Sequence, residues 1–138
     1  MTITKTHRAY YNAARAVSML SDYPKVNIGC VVVYKHKIIS SGYNSMRTHP
    51  TQGRLNKLRF DEDTPARLHA EVSALLPLIN RKDIDFSRVS IYLYREYKDG
   101  NLAPSRCCKA CFSLIRQLKI KNIYYTNEGS YVHEELSY

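Results

Sequence analysis

The chain has 138 residues, 44% of them hydrophobic, and a formal net charge of +9 at pH 7. That length predicts one compact domain over 1–138, with 127–138 as a C-terminal extension, and no apolar stretch nears the roughly 20 residues of a membrane span. The charge favours acidic partners, either the phosphates of a nucleotide or a nucleic-acid backbone, over a membrane; a merely solvated basic face is the plain alternative.

Residues 6–20 carry Ala9, Ala13, Ala16, Val17 and Leu20 at helical spacing and end at Ser21-Asp22-Tyr23-Pro24. The polar segment before and within it, with Lys5, Arg8 and Arg15, does not read as a secretory leader. Two β-rich runs follow, 28–34 and 37–43, and the two residues Lys35-His36 between them predict a hairpin. Cys30-Val31-Val32-Val33 reads as a central strand covered on both faces, and Gly29 leaves room for a helix or ligand to approach. Between Asn44 and Leu68 the pattern dissolves into a polar, basic stretch with an acidic knot at Asp61-Glu62-Asp63. A loop that long is functional or carries a short helix near 55–60.

Residues 69–80 read as a helix bent by Pro77, and 89–95 as a strand with Ile91 and Leu93 on one face. A loop with Asp99-Gly100 and Pro104 leads to a helix over 108–118, a strand over 120–126, and a tail with a short helix around 134–137. Helices alternating with strands imply an α/β fold, three layers with a mixed sheet between helices. Twelve tyrosines and no tryptophan carry no functional reading of their own.

Three of the four cysteines, Cys107, Cys108 and Cys111, crowd into one short run, a poor layout for disulfides. With Cys30 they predict a reducing, cytoplasmic compartment with thiols free or metal-bound. Two fragments stand out: His69-Ala70-Glu71 and Cys108-Lys109-Ala110-Cys111, each opening a predicted helix. Cysteines three apart at a helix start can turn toward one point, where the helix-end potential favours thiolates. One imidazole and two thiolates hold zinc and leave its fourth position open, as a catalytic site requires. Glu71, two residues after His69, reaches that position without ligating and is the candidate proton carrier. Alone, C-x-x-C reads equally as a redox or structural-zinc motif. H-x-E with C-x-x-C, in this order, is the described mark of zinc deaminases. Ser105 and Arg106, beside the second motif, are candidate phosphate ligands, with solvated surface the alternative for the arginine. His36, His49 and His133 read as loop or tail residues.

On these residues the chain resembles the cytidine and deoxycytidylate deaminase superfamily over most of its length. Ile28-Gly29-Cys30-Val31-Val32 is similar to the family's first strand. Ser41-Gly42-Tyr43-Asn44 is similar to the segment whose asparagine contacts the sugar in deoxycytidylate and tRNA adenosine deaminases, which implies that role for Asn44. The resemblance also implies the α/β/α fold, pyrimidine held by the backbone N–H of Ala70, and a homo-oligomer. One departure is Cys107, where the family usually places proline; it either loosens the turn or competes as a ligand. Another is the long segment 95–106, which alters the pocket rim. The expected activity is conversion of dCMP to dUMP. The alternative is a cytosine or adenine deaminase of single-stranded DNA or RNA, with Arg47 to Arg67 as a backbone track and Tyr43 and Tyr97 as stacking candidates. A catalytically dead, nucleic-acid-binding member is disfavoured by the intact His69, Glu71, Cys108 and Cys111 set.

Overall fold

The computed structural model describes residues 3–57 and 67–138. A five-stranded mixed sheet in the order β2-β1-β3-β4-β5 forms the middle layer. β1 (Ile28–Tyr34) and β2 (Lys37–Tyr43) are antiparallel, as are β1 and β3 (Ser90–Arg95). β3 and β4 (Asn122–Asn127) run parallel, a pairing that needs a crossover, and α4 (Lys109–Gln117) supplies it. α1 (Lys5–Ser18) lies on one face, while α2 (Pro50–Lys57), α3 (Ala70–Leu75) and α4 lie on the other. The expected α/β layers are therefore present, and among the described residues no helix is long and apolar enough to cross a membrane.

Two glycines let helices dock on opposite faces of the same hairpin. A Cβ on Gly29 would lie 2.0 Å from the Ala14 carbonyl oxygen of α1, and one on Gly42 would lie 2.4 Å from the Ala74 nitrogen of α3. Gly29 thus receives a helix, one of the two approaches its sequence position allowed. The hairpin turn is Lys35-His36, with φ of 52° and 66°, the left-handed pair that a two-residue turn demands.

Four expectations need correction. The fully buried stripe of α1 is Tyr11, Ala14 and Ser18; of the expected series Ala13 and Val17 pack against its edge, whereas Ala9, Ala16 and Leu20 are exposed. Small Ala14 and Ser18 are what face the backbone at Gly29. The helix expected over 69–80 is regular only for Ala70–Leu75; Pro77 has no N–H to continue the ladder. The helix near 55–60 lies earlier, at Pro50–Lys57, with proline in the first position it favours. Its expected last residues and the acidic knot fall outside the described residues. The tail is not helical: Ser130–Glu135 forms β5, antiparallel to β4 across the turn Glu128-Gly129, with Gly129 at φ 68°.

Candidate active site

Both motifs sit at helix starts on the same side of the sheet. His69 is the N-cap of α3 and Cys108 the N-cap of α4, each in extended backbone and neither using its side chain to cap. Both side chains are engaged with each other instead. His69 Nδ1 lies 3.2 Å from Cys111 Sγ and 3.6 Å from Cys108 Sγ. Tetrahedral zinc, with ligands at about 2.0–2.3 Å, would hold such atoms about 3.5 Å apart. The donor set therefore fits zinc, and these three are the residues whose ligand atoms gather within 4.8 Å among the described residues.

Charge in this group is arranged as a metal needs. A hydrogen bond from Cys111, and further down one from His69, lowers the Cys108 thiol to about 3. Sharing its proton with Cys108, and then burial, holds Cys111 well above the ordinary thiol value. One thiolate is thus already favoured; a cation would displace the remaining proton.

Glu71 stands in the first turn of α3 and is only 5% exposed. Burial pushes its carboxyl upward from the ordinary range, while the neighbouring His69 charge pulls it down. Cys107 is buried beside it and stays outside the ligand group. Burial first, then the charge of Glu71, keeps the Cys107 thiol protonated. The residue in proline's usual place is therefore a neutral neighbour of the carboxylate.

The ligands and Glu71 share a cleft of about 430 Å³. Tyr23, Val26, Ile28 and Asn44 form one wall, Arg67 and Leu68 the approach to His69, and Ser105 and Arg106 the far side beside Cys108. Asn44 braces that first wall: its Oδ1 accepts from Ser21 Oγ at 2.6 Å and from the Ile28 N–H at 2.9 Å, and its Nδ2 donates to the Val26 carbonyl at 2.7 Å. One amide hydrogen is left over. The Ser105 hydroxyl faces the core, within reach of Leu93 O and Thr126 Oγ1 and accepting from the Thr126 N–H at 2.8 Å. Arg106 lies over the Phe112 ring and grips Glu134 at 2.7 and 3.2 Å.

Two supporting residues were not anticipated. Gln52, fully buried on α2, accepts from the His69 backbone N–H at 3.2 Å and donates to Asn56, also buried, at 3.1 Å. Two amides four apart on one helix were the available sequence signal. Thr126, at the end of β4, ties Arg95, Ala103 and Ser105 together and so shapes the approach to the cysteine motif. The segment 95–106 is itself a small turn closed by Tyr97 and Asn101.

Comparison with known proteins accords with this geometry. The family model described as "Cytidine and deoxycytidylate deaminase zinc-binding region" matches residues 4–127. A Caenorhabditis elegans protein described as "Probable deoxycytidylate deaminase" is 27% identical over 128 residues, covering 88% of this chain; the chain spans 57% of that relative's length. The dCMP deaminase of cyanophage S-TIM5, crystallised with dCMP and dUMP, shares the fold with a TM-score of 0.61 at 19% identity, covering 91% of this chain and 83% of its own. Cytidine deaminase from Burkholderia pseudomallei superposes with a TM-score of 0.66 at 19% identity, covering 98% and 93%. With zinc as the family's metal and three ligands gathered to hold it, the chain belongs to the cytidine and deoxycytidylate deaminase family.

Proposed function

We propose that the chain converts a cytosine nucleotide, dCMP, to dUMP by hydrolysis at the cleft between α3 and α4. The carrying observation is that a buried carboxylate, Glu71, shares that cleft with the three gathered ligands His69, Cys108 and Cys111. Zinc, when bound there, lowers the pKa of its water toward ~7 and so provides a nucleophile at neutral pH. In the reaction, water's oxygen becomes the C4 carbonyl oxygen, the C4–N bond breaks, and ammonia leaves. Glu71 accepts the water's proton and returns protons to the ring nitrogen and the departing amine.

The remaining roles are part of the same reading. Ala70 is fully buried at the start of α3, where its backbone N–H is one of those the helix leaves unpaired, and it offers a donor to the pyrimidine. Asn44 offers its spare amide hydrogen to the sugar. For the phosphate, Arg106 is better disposed than Ser105, whose hydroxyl is already committed to Thr126. The dCMP assignment is supported by the names of the relative and of the structural neighbour. A reducing, cytoplasmic location is supported by four cysteines without a disulfide. Assembly into a homo-oligomer, checked by sedimentation, completes the reading.

The test is a substrate panel: dCMP, CMP, cytidine, and single strands containing C or A, each at two salt concentrations. Turnover of dCMP with weak salt dependence is expected. Reaction of an oligonucleotide with both monophosphates untouched would overturn the dCMP reading in favour of a polymer substrate, whose binding falls steeply with salt. Metal analysis should find about one zinc per chain, since one three-ligand catalytic site is present.

A further inference from the structure

A second cavity, of about 500 Å³, opens on the α1 face of the sheet. Its floor is the cross-strand pair Val33 and Ser90, whereas the catalytic cleft takes Ile28 from the other end of β1. Five residues of strand separate the two sites by about 17 Å, and the sheet itself lies between them.

The walls combine rings with cations. Tyr10 packs 5.1 Å from Tyr92, His7 lies 5.0 Å from Tyr124, and the Tyr92 and Tyr124 rings stack at 4.3 Å. Nδ1 of His7 is buried and has no hydrogen-bond partner among the described residues. At the rim, Lys35 and His36 occupy both left-handed positions of the hairpin turn, where Asn-Gly would be relaxed. Arg88 closes the opposite side and touches Asp85 only loosely, at 3.9 Å. Lys35 has no ion-pair partner among the described residues. Of the nearby acids, Asp83 is held by Arg81 at 2.5 Å although its charge also reaches Lys35, Asp85 is held by the Ser87 hydroxyl at 2.6 Å, and Glu135 acts on the Tyr124 phenol. Lys5 and Arg8, both exposed, add charge on the first turn of α1, which holds no acid.

We propose that this face binds single-stranded nucleic acid, with one base entering the aromatic cavity and the flanking phosphates meeting Lys35 and Arg88. Rings that accept any base, set within cations that track a backbone, are the recurring composition of such sites. A mononucleotide could fill the cavity but would leave the cations beyond its rim unused, which is why the polymer fits better. This surface is independent of the deamination reading, because it lies at the other end and on the other side of the sheet.

The test uses full-length protein and a fluorescein-labelled oligothymidylate of about twelve nucleotides, within the span of known single-strand sites. Thymine has no exocyclic amine to lose, so the readout needs no turnover. Lys35→Glu with Arg88→Glu should weaken binding at least tenfold and flatten its salt dependence, since fewer counterions are released. Tyr10→Ala should weaken it about fivefold or more, as loss of one base–aromatic stack does. Arg67→Glu, in the catalytic cleft, should leave it unchanged. Zinc content and melting temperature establish that each variant is folded. The proposal fails if the native protein does not bind, if the double variant binds equally well, if Arg67→Glu alone abolishes binding, or if thymidine monophosphate binds as tightly as the oligomer.

Discussion

The two faces of the sheet are packed with different chemistry, although they are read from the same strands. Alternation along β1 and β3 sends Cys30, Val32, Ile91 and Leu93 to the side of α3 and α4, and Val31, Val33, Tyr92 and Tyr94 to the side of α1. The first face is aliphatic and dry, and it surrounds the buried Glu71 carboxylate. The second is built of tyrosines whose hydroxyls must still find partners: Tyr11 reaches the Tyr125 and Val132 carbonyls, Tyr10 the His36 carbonyl, and Tyr94 the Glu96 carboxylate. Burial raises the phenols of Tyr11 and Tyr94, the latter pushed up to about 12. A dry face strengthens the electrostatics that a reacting carboxylate needs; a face of amphipathic rings tolerates an open cavity at its end.

The sharpest way to break this comparison is through the two glycines. Gly29→Ala and Gly42→Ala each drive a Cβ into helix backbone, and each should cost about 3 kcal/mol or more, at or beyond the upper end of overpacking penalties. Their consequences should differ. Gly42→Ala displaces α3, which carries Glu71 and follows His69, so it should lose bound zinc. Gly29→Ala displaces α1 and should retain zinc below its lowered melting temperature. Zinc loss from the Gly29 variant alone would mean that the faces are not independent.

Next in size is Glu71→Gln. It should keep about one zinc per chain, because Glu71 is not among the ligands, yet lose deamination by the factor of about 10²–10⁴ typical of a general acid–base group. Retained turnover would move the proton carrier elsewhere. Neighbouring residues of β3 then compare the packing directly. Leu93→Ala should destabilise by about 2–5 kcal/mol as a buried cavity opens. Tyr92→Leu keeps apolar volume and loses chiefly ring–ring contacts, each worth about 0.5–1.5 kcal/mol. Urea melts of the two variants would invert the comparison if the tyrosine proved the costlier loss.

The smallest effect belongs to the edge. A hydrogen bond from Arg106 holds the Glu134 carboxyl below its ordinary range. Its stabilising contribution is therefore present above the unfolded glutamate value, near 4.3, and is lost as pH falls through the lowered folded value. Being partly exposed, the pair should give under about 1 kcal/mol, so Glu134→Gln should melt slightly lower at neutral pH, with the difference vanishing only once pH has fallen below the lowered folded value.

Much of the catalytic side was legible because its signals are local. A histidine and two cysteines at helix starts, with a carboxylate two residues after the histidine, read by their spacing as a three-ligand group with an acid beside it, and the fold gathers them in one cleft. Period-two alternation in β3 assigned Ile91 and Leu93 to one face for the same reason. The tail was misread because its pairing partner, β4, supplies the hydrogen bonds that make 130–135 a strand, and no short-range pattern contains them.

What the sequence determined by itself was therefore chemistry that travels with adjacent residues: the His69, Cys108 and Cys111 group with Glu71 beside it, the Lys35-His36 turn, and the alternation of helices and strands as far as β4. Only the tertiary structure decided relations between distant segments. It put Cys107 against Glu71 rather than among the ligands, braced the His69 backbone with Gln52, and turned the Ser105 hydroxyl toward Thr126. It also spent Gly29 and Gly42 on two different helices and drew the tyrosines together beneath α1. The reason is physical: steric contact, burial and hydrogen-bond satisfaction are properties of packed pairs, and a pair far apart in the chain acquires them only when the sheet brings it together.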